Sequence, residues 1–261
     1  MSNEQEKILV ISSQDQDNDS RTNSNFVVTL KERYNTQNIN KILVKNITVP
    51  NVFYNVRASN GEVNNTMQIQ QDGDPIVVVT VPEGQYSIST YIPALKAAID
   101  AVLTGGNVVT IVQDPLTKKL NFSYSLTAVE MFASEKDDIY RMADVIGLTN
   151  DTGPLLSMDM QSQPDLSGIN VVYIHSSEVG EMHGIDGDFG LISLVESVSF
   201  HDVPHGAFAY RQNSDDQLAK IQYDQPKNLN RISIVLRDNL GNILDIGTKK
   251  MSLELKAFFQ L

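Results

Sequence analysis

The sequence predicts a mainly β protein, a single jelly-roll β-sandwich interrupted by a small α+β insertion domain. Three observations lead there. Short runs rich in Val, Ile, Thr, Phe and Tyr, bounded by Asn, Asp, Gly and Pro, recur toward both ends of the chain. Between them the texture changes, because the strongest helix-forming stretch lies in the middle. Each flank looks too short for a stable sandwich, yet together they supply about eight strands, the number in a jelly roll. The expected division is 1–59 with 166–261 for the discontinuous jelly roll and 60–165 for the insertion. Val44, Ile47 and Val49 should then share a core with residues such as Val172, Ile232, Val235 and Leu255, and the insertion should pack Leu95, Ile99 and Val102, one helical stripe, against Val109, Ile111, Leu120 and Phe122. Two consecutive domains broken near residue 165 are the alternative.

The elements follow in order. "KILVISS" at 7–13 and "NFVVTL" at 25–30 are the first strands. "NKILVKNITVP" at 40–50 alternates Ile42, Val44, Asn46 and Thr48 against Leu43, Lys45, Ile47 and Val49, which puts successive side chains on opposite faces. Pro50 cannot donate to a ladder and marks its end or an edge. "FYNV" at 53–56 continues extended. "SNGEVNNT" at 59–66 is a turn cluster, and strands near 66–71 and 75–81 are joined by "DGDP". A helix follows over 94–103, with Ser89 or Thr90 as N-cap, Pro93 in its first turn and Gly105 and Gly106 stopping it. Strands at 107–113 and 119–125 flank the turn "DPLTK", and a short helix fits 135–145. Residues 149–168, rich in Thr, Asp, Gly, Pro, Ser and Gln, read as a linker. Strands return at 169–177, 190–200, 206–211, 218–223, 230–238, 243–246 and 251–259, with Asn239–Asn242 as a short hairpin loop.

Composition narrows the function. The 261 residues are 41% hydrophobic, enough for a substantial core, and no run of about 18 apolar residues marks a membrane helix. The opening "MSNEQEKILV" lacks the basic start and long apolar middle of a signal peptide. There is no cysteine, so disulfides, thiolate nucleophiles and cysteine metal sites are all excluded. The net charge of −12, with Lys and Arg scattered, disfavours broad phosphate neutralisation and so duplex nucleic acid as a partner.

Chemical constellations are sparse. Asp15, Asp17 and Asp19 in "QDQDNDSRTNSNFVVTL" match the first half of an EF-hand loop, but Ser20 stands where glycine is needed and Phe26 where the bidentate glutamate belongs. A solvated connection is the simpler reading. His183, Asp186 and Asp188 in "HGIDGDFG", with His201, Asp202 and His205 in "HDVPH", are the candidate metal ligands. Two glycines make the first of these equally an ordinary loop, and no metal or other cofactor is expected. No G-x-S-x-G elbow, P-loop, H-E-x-x-H or G-x-G-x-x-G occurs. Glu130, Glu135, Asp137 and Asp138 fit a helix start, where they complement the dipole. No enzyme is expected. Phe53 with Tyr54, and Phe258 with Phe259, are interface candidates, because adjacent strand residues point to opposite faces and one of each pair can meet a neighbouring subunit.

Two segments carry a resemblance. "ISSQDQDNDSRTNSNFVVTLKE" followed by "INKILVKNITVPNVFYNV", and the closing "ISIVLRDNLGNILDIG…MSLELKAFF", resemble the two ends of penton or minor capsid proteins of virophages and polinton-like viruses. In that family a Ser-Gln-Asp-rich segment precedes an N-F-x-V-x-L strand and an I-P-N-x-x-Y-N motif, matched here by "PNVFYN" at 50–55. The resemblance covers about 8–57 and 169–259, and touches the middle only through "GQYSISTYIPALKAAID". It implies a vertical single jelly roll, a homopentamer at the icosahedral vertices of the virion assembled inside a host cell, double jelly-roll major capsid proteins as neighbours, and an outward insertion able to meet a host receptor. A receptor- or carbohydrate-binding β-sandwich of a viral spike or tail is the alternative, although the absence of Trp counts against an aromatic sugar platform. A cupin-like metalloenzyme is a third reading, resting on the histidines at 183–205.

Overall fold

The computed structural model describes residues 4–17, 22–30, 38–61, 63–133, 142–179, 181–186, 190–213 and 220–260. It separates into two compact units, Met1–Phe53 with Ile169–Leu261, and Tyr54–Gly168. In chain order the first unit opens with β1 (Glu4–Ser12), β2 (Asn25–Thr29) and β3 (Ile39–Pro50). The second unit contains β4 (Thr66–Gln71), β5 (Val77–Thr80), α1 (Ile88–Asp100), β6 (Val109–Gln113), β7 (Leu120–Tyr124), β8 (Val129–Phe132), α2 (Met142–Ile146) and β9 (Ser157–Asp159). The first unit then resumes with β10 (Val171–His175), β11 (Glu181–Asp186), β12 (Gly190–Ser199), β13 (Phe208–Gln212), β14 (Lys220–Lys227), β15 (Arg231–Arg237) and β16 (Ser252–Gln260).

The first unit is an antiparallel sandwich. One sheet runs β1-β16-β3-β13, with β14 also on β3, and the other runs β11-β12-β10-β15-β2. With β13 and β14 taken as one interrupted strand and β11 as a hairpin addition to β12, eight strands remain. Apart from β10 and β12, which are consecutive in one sheet, they alternate between the sheets in the order of a double Greek key, which is a jelly roll. The second unit's sequence enters between the third and fourth of these strands.

Its core is built by inward residues of both sheets. Leu9, Ile11, Ile42, Val44, Ile47, Val49 and Leu255 pack with Phe26, Val172, Ile174, Ile232, Ile234 and Leu236. Two phases differ from simple alternation. In β3 the inward positions run 42 and 44, then 47 and 49, because Glu254 pairs with Asn46 while Leu255 pairs with Val44, leaving Lys45 as the extra residue of a bulge. In β15 the even positions 232, 234 and 236 point inward, so Val235, expected in the core, is only partly buried.

Several expected elements are corrected. Residues 243–246 form no strand. Asp238 is buried and its carboxylate accepts from the Leu240 and Asn242 N–H groups and the Asn242 amide, which holds an irregular loop whose Leu244 and Ile246 still reach the core. Residues 183–186, the first half of the loop expected at 183–190, belong to strand β11. Two residues, His183 and Gly184, lie between the pairs Met182–Ser193 and Ile185–Leu191, a bulge of the kind glycine eases.

The second unit has its own core of Met67, Ile69, Tyr91, Leu95, Ile99, Val109, Leu120, Phe122, Val129 and Met131. Its sheets run β5-β4-β8 and β6-β7-β9. Helix α1 starts earlier than expected, with Ser87 as N-cap, and the Ser87 N–H donates to Thr90 Oγ1 at 3.0 Å. Pro93 therefore lies inside the helix. Asp100 closes it, pairing with Lys96 and accepting from the Val109 N–H at 2.8 Å, which fastens the helix to β6. The expected linker 149–168 is a packed wall. Met158 and Met160 enter the core, β9 pairs with β7, and buried Thr152 accepts from the Met131 N–H at 2.9 Å. Of the short helix expected at 135–145, only its last part falls within the described residues, as α2.

Asn55 ties the start of this unit to its far end. Its amide donates to the carbonyls of Tyr86 and Leu166, at 2.7 and 2.9 Å, and accepts from the Tyr86 N–H at 2.8 Å. Gly168, at φ +71°, lies so near that a Cβ there would sit 3.1 Å from Asn55 Cα.

Candidate assembly surfaces

The polar run between β1 and β2 is a tethered connection. Asp17 accepts from the Thr29 N–H at 3.3 Å and the Thr29 hydroxyl at 2.7 Å. Gln16 donates to Asn23, which donates to the Gly247 carbonyl. Asp17 is thus committed to the neighbouring strand. Asp19 lies outside the described residues.

The histidine and aspartate candidates separate. His201, Asp202 and His205 are exposed in the turn after β12. His183 and Asp186 fall on β11, and Asp188 lies outside the described residues. Among the described residues no group of three His, Asp or Glu side chains is placed to share a metal ion. Glu130 is on β8, and Glu135, Asp137 and Asp138 lie outside the described residues.

Phe258 and Phe259 split as strand geometry requires, and Phe53 and Tyr54, in the irregular segment after β3, also divide into one buried and one exposed side chain, with less left over for a partner than expected. Phe53 is in the jelly-roll core, its ring centroid 5.8 Å from that of Phe200. Tyr54, the first residue of the second unit, is exposed. Phe259 is a core residue. Phe258 faces outward beside Leu43, where Lys41 and Lys256 ammonium groups lie 4.3 and 5.3 Å from its ring centroid. The two ammonium groups meet the ring as cation–π partners, and the Lys256 head is also paired with Glu6. Phe53, Phe258 and Phe259 are therefore buried within the chain, and Tyr54 alone of the four is exposed.

The exposed apolar residues of this unit stand elsewhere. β1 and β13 border the first sheet; β1 alternates inward and outward side chains, and β13 turns only Ala209 inward. Ile8 and Val10 on β1 are 56% and 58% exposed, and Phe208 and Tyr210 on β13 are 52% and 60% exposed. β1 pairs with β16 over nine residues without a register shift, so its outer edge is long and regular, with neither Pro nor bulge to blunt it. Sequence reasoning passed over Phe208 and Tyr210; the outward parity around buried Ala209 is the signal that finds them.

One carboxylate organises the rim of the second sheet. Glu178 accepts from the Ser233 N–H at 2.9 Å and from the Ser233 hydroxyl, and Arg231 Nε lies 3.6 Å away. Partial desolvation works to raise its pKa, but the hydrogen bonds from Ser233 and Ser177 outweigh it and hold the group below its ordinary value.

No protein-family profile matches the chain. No curated protein matches it either. Solved structures that align with this chain include the selenomethionine-labelled mavirus penton protein, at 11% identity and a TM-score of 0.49, covering 98% of this chain and 100% of that one. They also include a chain of the Sputnik virophage, from its 3.5 Å cryo-EM structure, at 11% identity and a TM-score of 0.45, covering 98% of each chain.

Proposed function

We propose that this chain is a structural, non-enzymatic capsid protein of a virophage-like virus, the penton that forms a homopentamer at icosahedral vertices. The observation that carries the reading is the single jelly roll assembled from both ends of the chain, a fold used by viral capsids. The two segments that resemble penton proteins are the ones that build it. Exposed apolar side chains on both border strands of one sheet suit heterologous contacts, β1 of one subunit toward β13 of the next, and such contacts close into a ring when the rotation allows. In this reading the neighbours are double jelly-roll major capsid proteins, and the unit 54–168 faces outward, where it can meet a host receptor.

Native mass spectrometry of the purified protein and cryo-electron microscopy of intact particles test it. A five-fold species, or density for this chain at the vertices, is the expected result. Density only at non-vertex positions overturns the pentamer reading.

A further inference from the structure

We infer that a polar cleft in the second unit is a binding site for a neutral oligosaccharide. The cleft has a volume of about 550 Å³ and is walled by Arg57, Asn64, Asp144, Leu148, Gln163 and Asp165, among others. That size falls in the range of small-ligand sites.

Its walls are fixed before any ligand arrives. The Arg57 N–H donates to Asn64 Oδ1 at 2.7 Å, and the Asn64 N–H donates to the Arg57 carbonyl at 3.0 Å, which locks the first wall. The second wall, at the end of α2, is joined to the third through Ser162 N–H to the Gly147 carbonyl and Asp165 N–H to the Val145 carbonyl, both at 2.9 Å. Gly147 sits at φ +82°, and a Cβ there would come within 2.3 Å of the Ser162 carbonyl oxygen, so only glycine lets the walls meet this closely. A pre-organised cleft loses little entropy on binding.

The lining selects the ligand class. Arg57 is 6% exposed and held by the Tyr54 carbonyl at 3.1 Å, so a guanidinium is built into the site. Asp144 and Asp165 supply carboxylates, Gln163 an amide oxygen, and Thr149 and Ser162 hydroxyls, while the Asn64 amide is engaged by the Arg57 N–H and the Asn55 carbonyl and the Gln163 amide nitrogen by the Thr117 carbonyl. An anion meets two carboxylates in a chain of net charge −12. A cation meets Arg57. A ligand with many hydroxyls, each both donor and acceptor, matches the mixture. The assignment goes beyond the capsid reading and stands on the second unit alone.

The full-length protein would be applied to an array of immobilised neutral, sialylated and sulfated oligosaccharides, and the best neutral member then titrated by calorimetry. Gln163→Ala and Asp165→Asn lie at exposed positions, and Leu116→Ser, outside the cleft, is the control; an unchanged thermal melt certifies each variant. Retention of neutral members, with affinity falling at least about tenfold in both cleft variants and unchanged in the control, is expected. Displacement by free monosaccharide identifies a soluble sugar as the source, and displacement only by longer chains identifies a surface glycan; both support the site. Absence of any neutral binder, preference for sialylated or sulfated members, or binding indifferent to both variants overturns it.

Discussion

The two units solve the burial problem by opposite routes. In the jelly roll the defining pairings are remote in sequence: Glu4 faces Gln260 across β1 and β16, and β2 waits for β15. In the second unit β4 meets β5 across the short "DGDP" turn and β6 meets β7 across "DPLTK", with a helix packed between these hairpins in sequence. One architecture needs both ends of the chain before it can close, and the other needs only one continuous segment. The difference teaches that interruption of the jelly roll does not compromise it, provided the inserted segment brings its own core and returns near where it left. Asn55 and Gly168, in backbone contact, meet the second condition.

Excision tests the comparison most severely. Deleting 55–168 and joining Tyr54 to Ile169 through a short Gly-Ser linker is expected to leave a β-rich protein with a sharp thermal transition by circular dichroism. A featureless melt would show that the jelly roll depends on the insert. Paired core truncations are next in size. Phe122→Ala in the second unit and Ile47→Ala in the first should each destabilise by about 3 kcal/mol. Differential scanning calorimetry should show each lowering a different transition, and a common shift in one transition would erase the distinction between the units.

Asn55→Ala is smaller but sharper. It removes two donated bonds and one accepted bond from a buried site, an expected loss of about 2 kcal/mol. Hydrogen exchange should rise at Tyr86 and around Leu166 while β1, β3 and β16 keep their protection. Glu178→Gln is the least. The carboxylate's folded pKa is lowered, so its stabilisation is fully present above the ordinary carboxylate pKa and disappears as pH falls through the folded value. For a partly buried group at the rim, whose pairing with Arg231 is screened by solvent, the loss at neutral pH is about 1 kcal/mol. Chemical denaturation of variant and parent should differ at pH 7 and converge near pH 3.

Much of this was legible in the sequence, and the failures have physical causes. Alternation and turn residues located most strands, and Leu95 and Ile99 lie in the second core on the stripe their spacing implies, with Val102 packed against it. Alternation then misled at Val235, because parity in β15 is set by its pairing with β2 and β10 rather than by hydrophobicity alone. It misled in β3 because a bulge shifts the phase within a single strand. Residues 149–168 read as linker because their polar composition concealed Met158 and Met160, which alternate with Asp159. The interface candidates were chosen because one of each adjacent aromatic pair should turn outward, but lysine coverage buries outward Phe258 and leaves Tyr54 alone exposed. The cleft was invisible because its walls come from three segments that only folding brings together.

The pairing of β1 with β16 also sets a timetable. During synthesis β1 emerges first among the described strands, and its partner emerges last. The second unit can fold on the nascent chain while β1, with Ile8 and Val10 on its outward face and Leu9 and Ile11 on its inward one, is still without β16. Throughout translation that strand offers two unpaired edges to any neighbouring nascent chain. A cell making this protein in quantity therefore has to shield the first strand, and a chaperone that grips apolar extended segments is suited to that task.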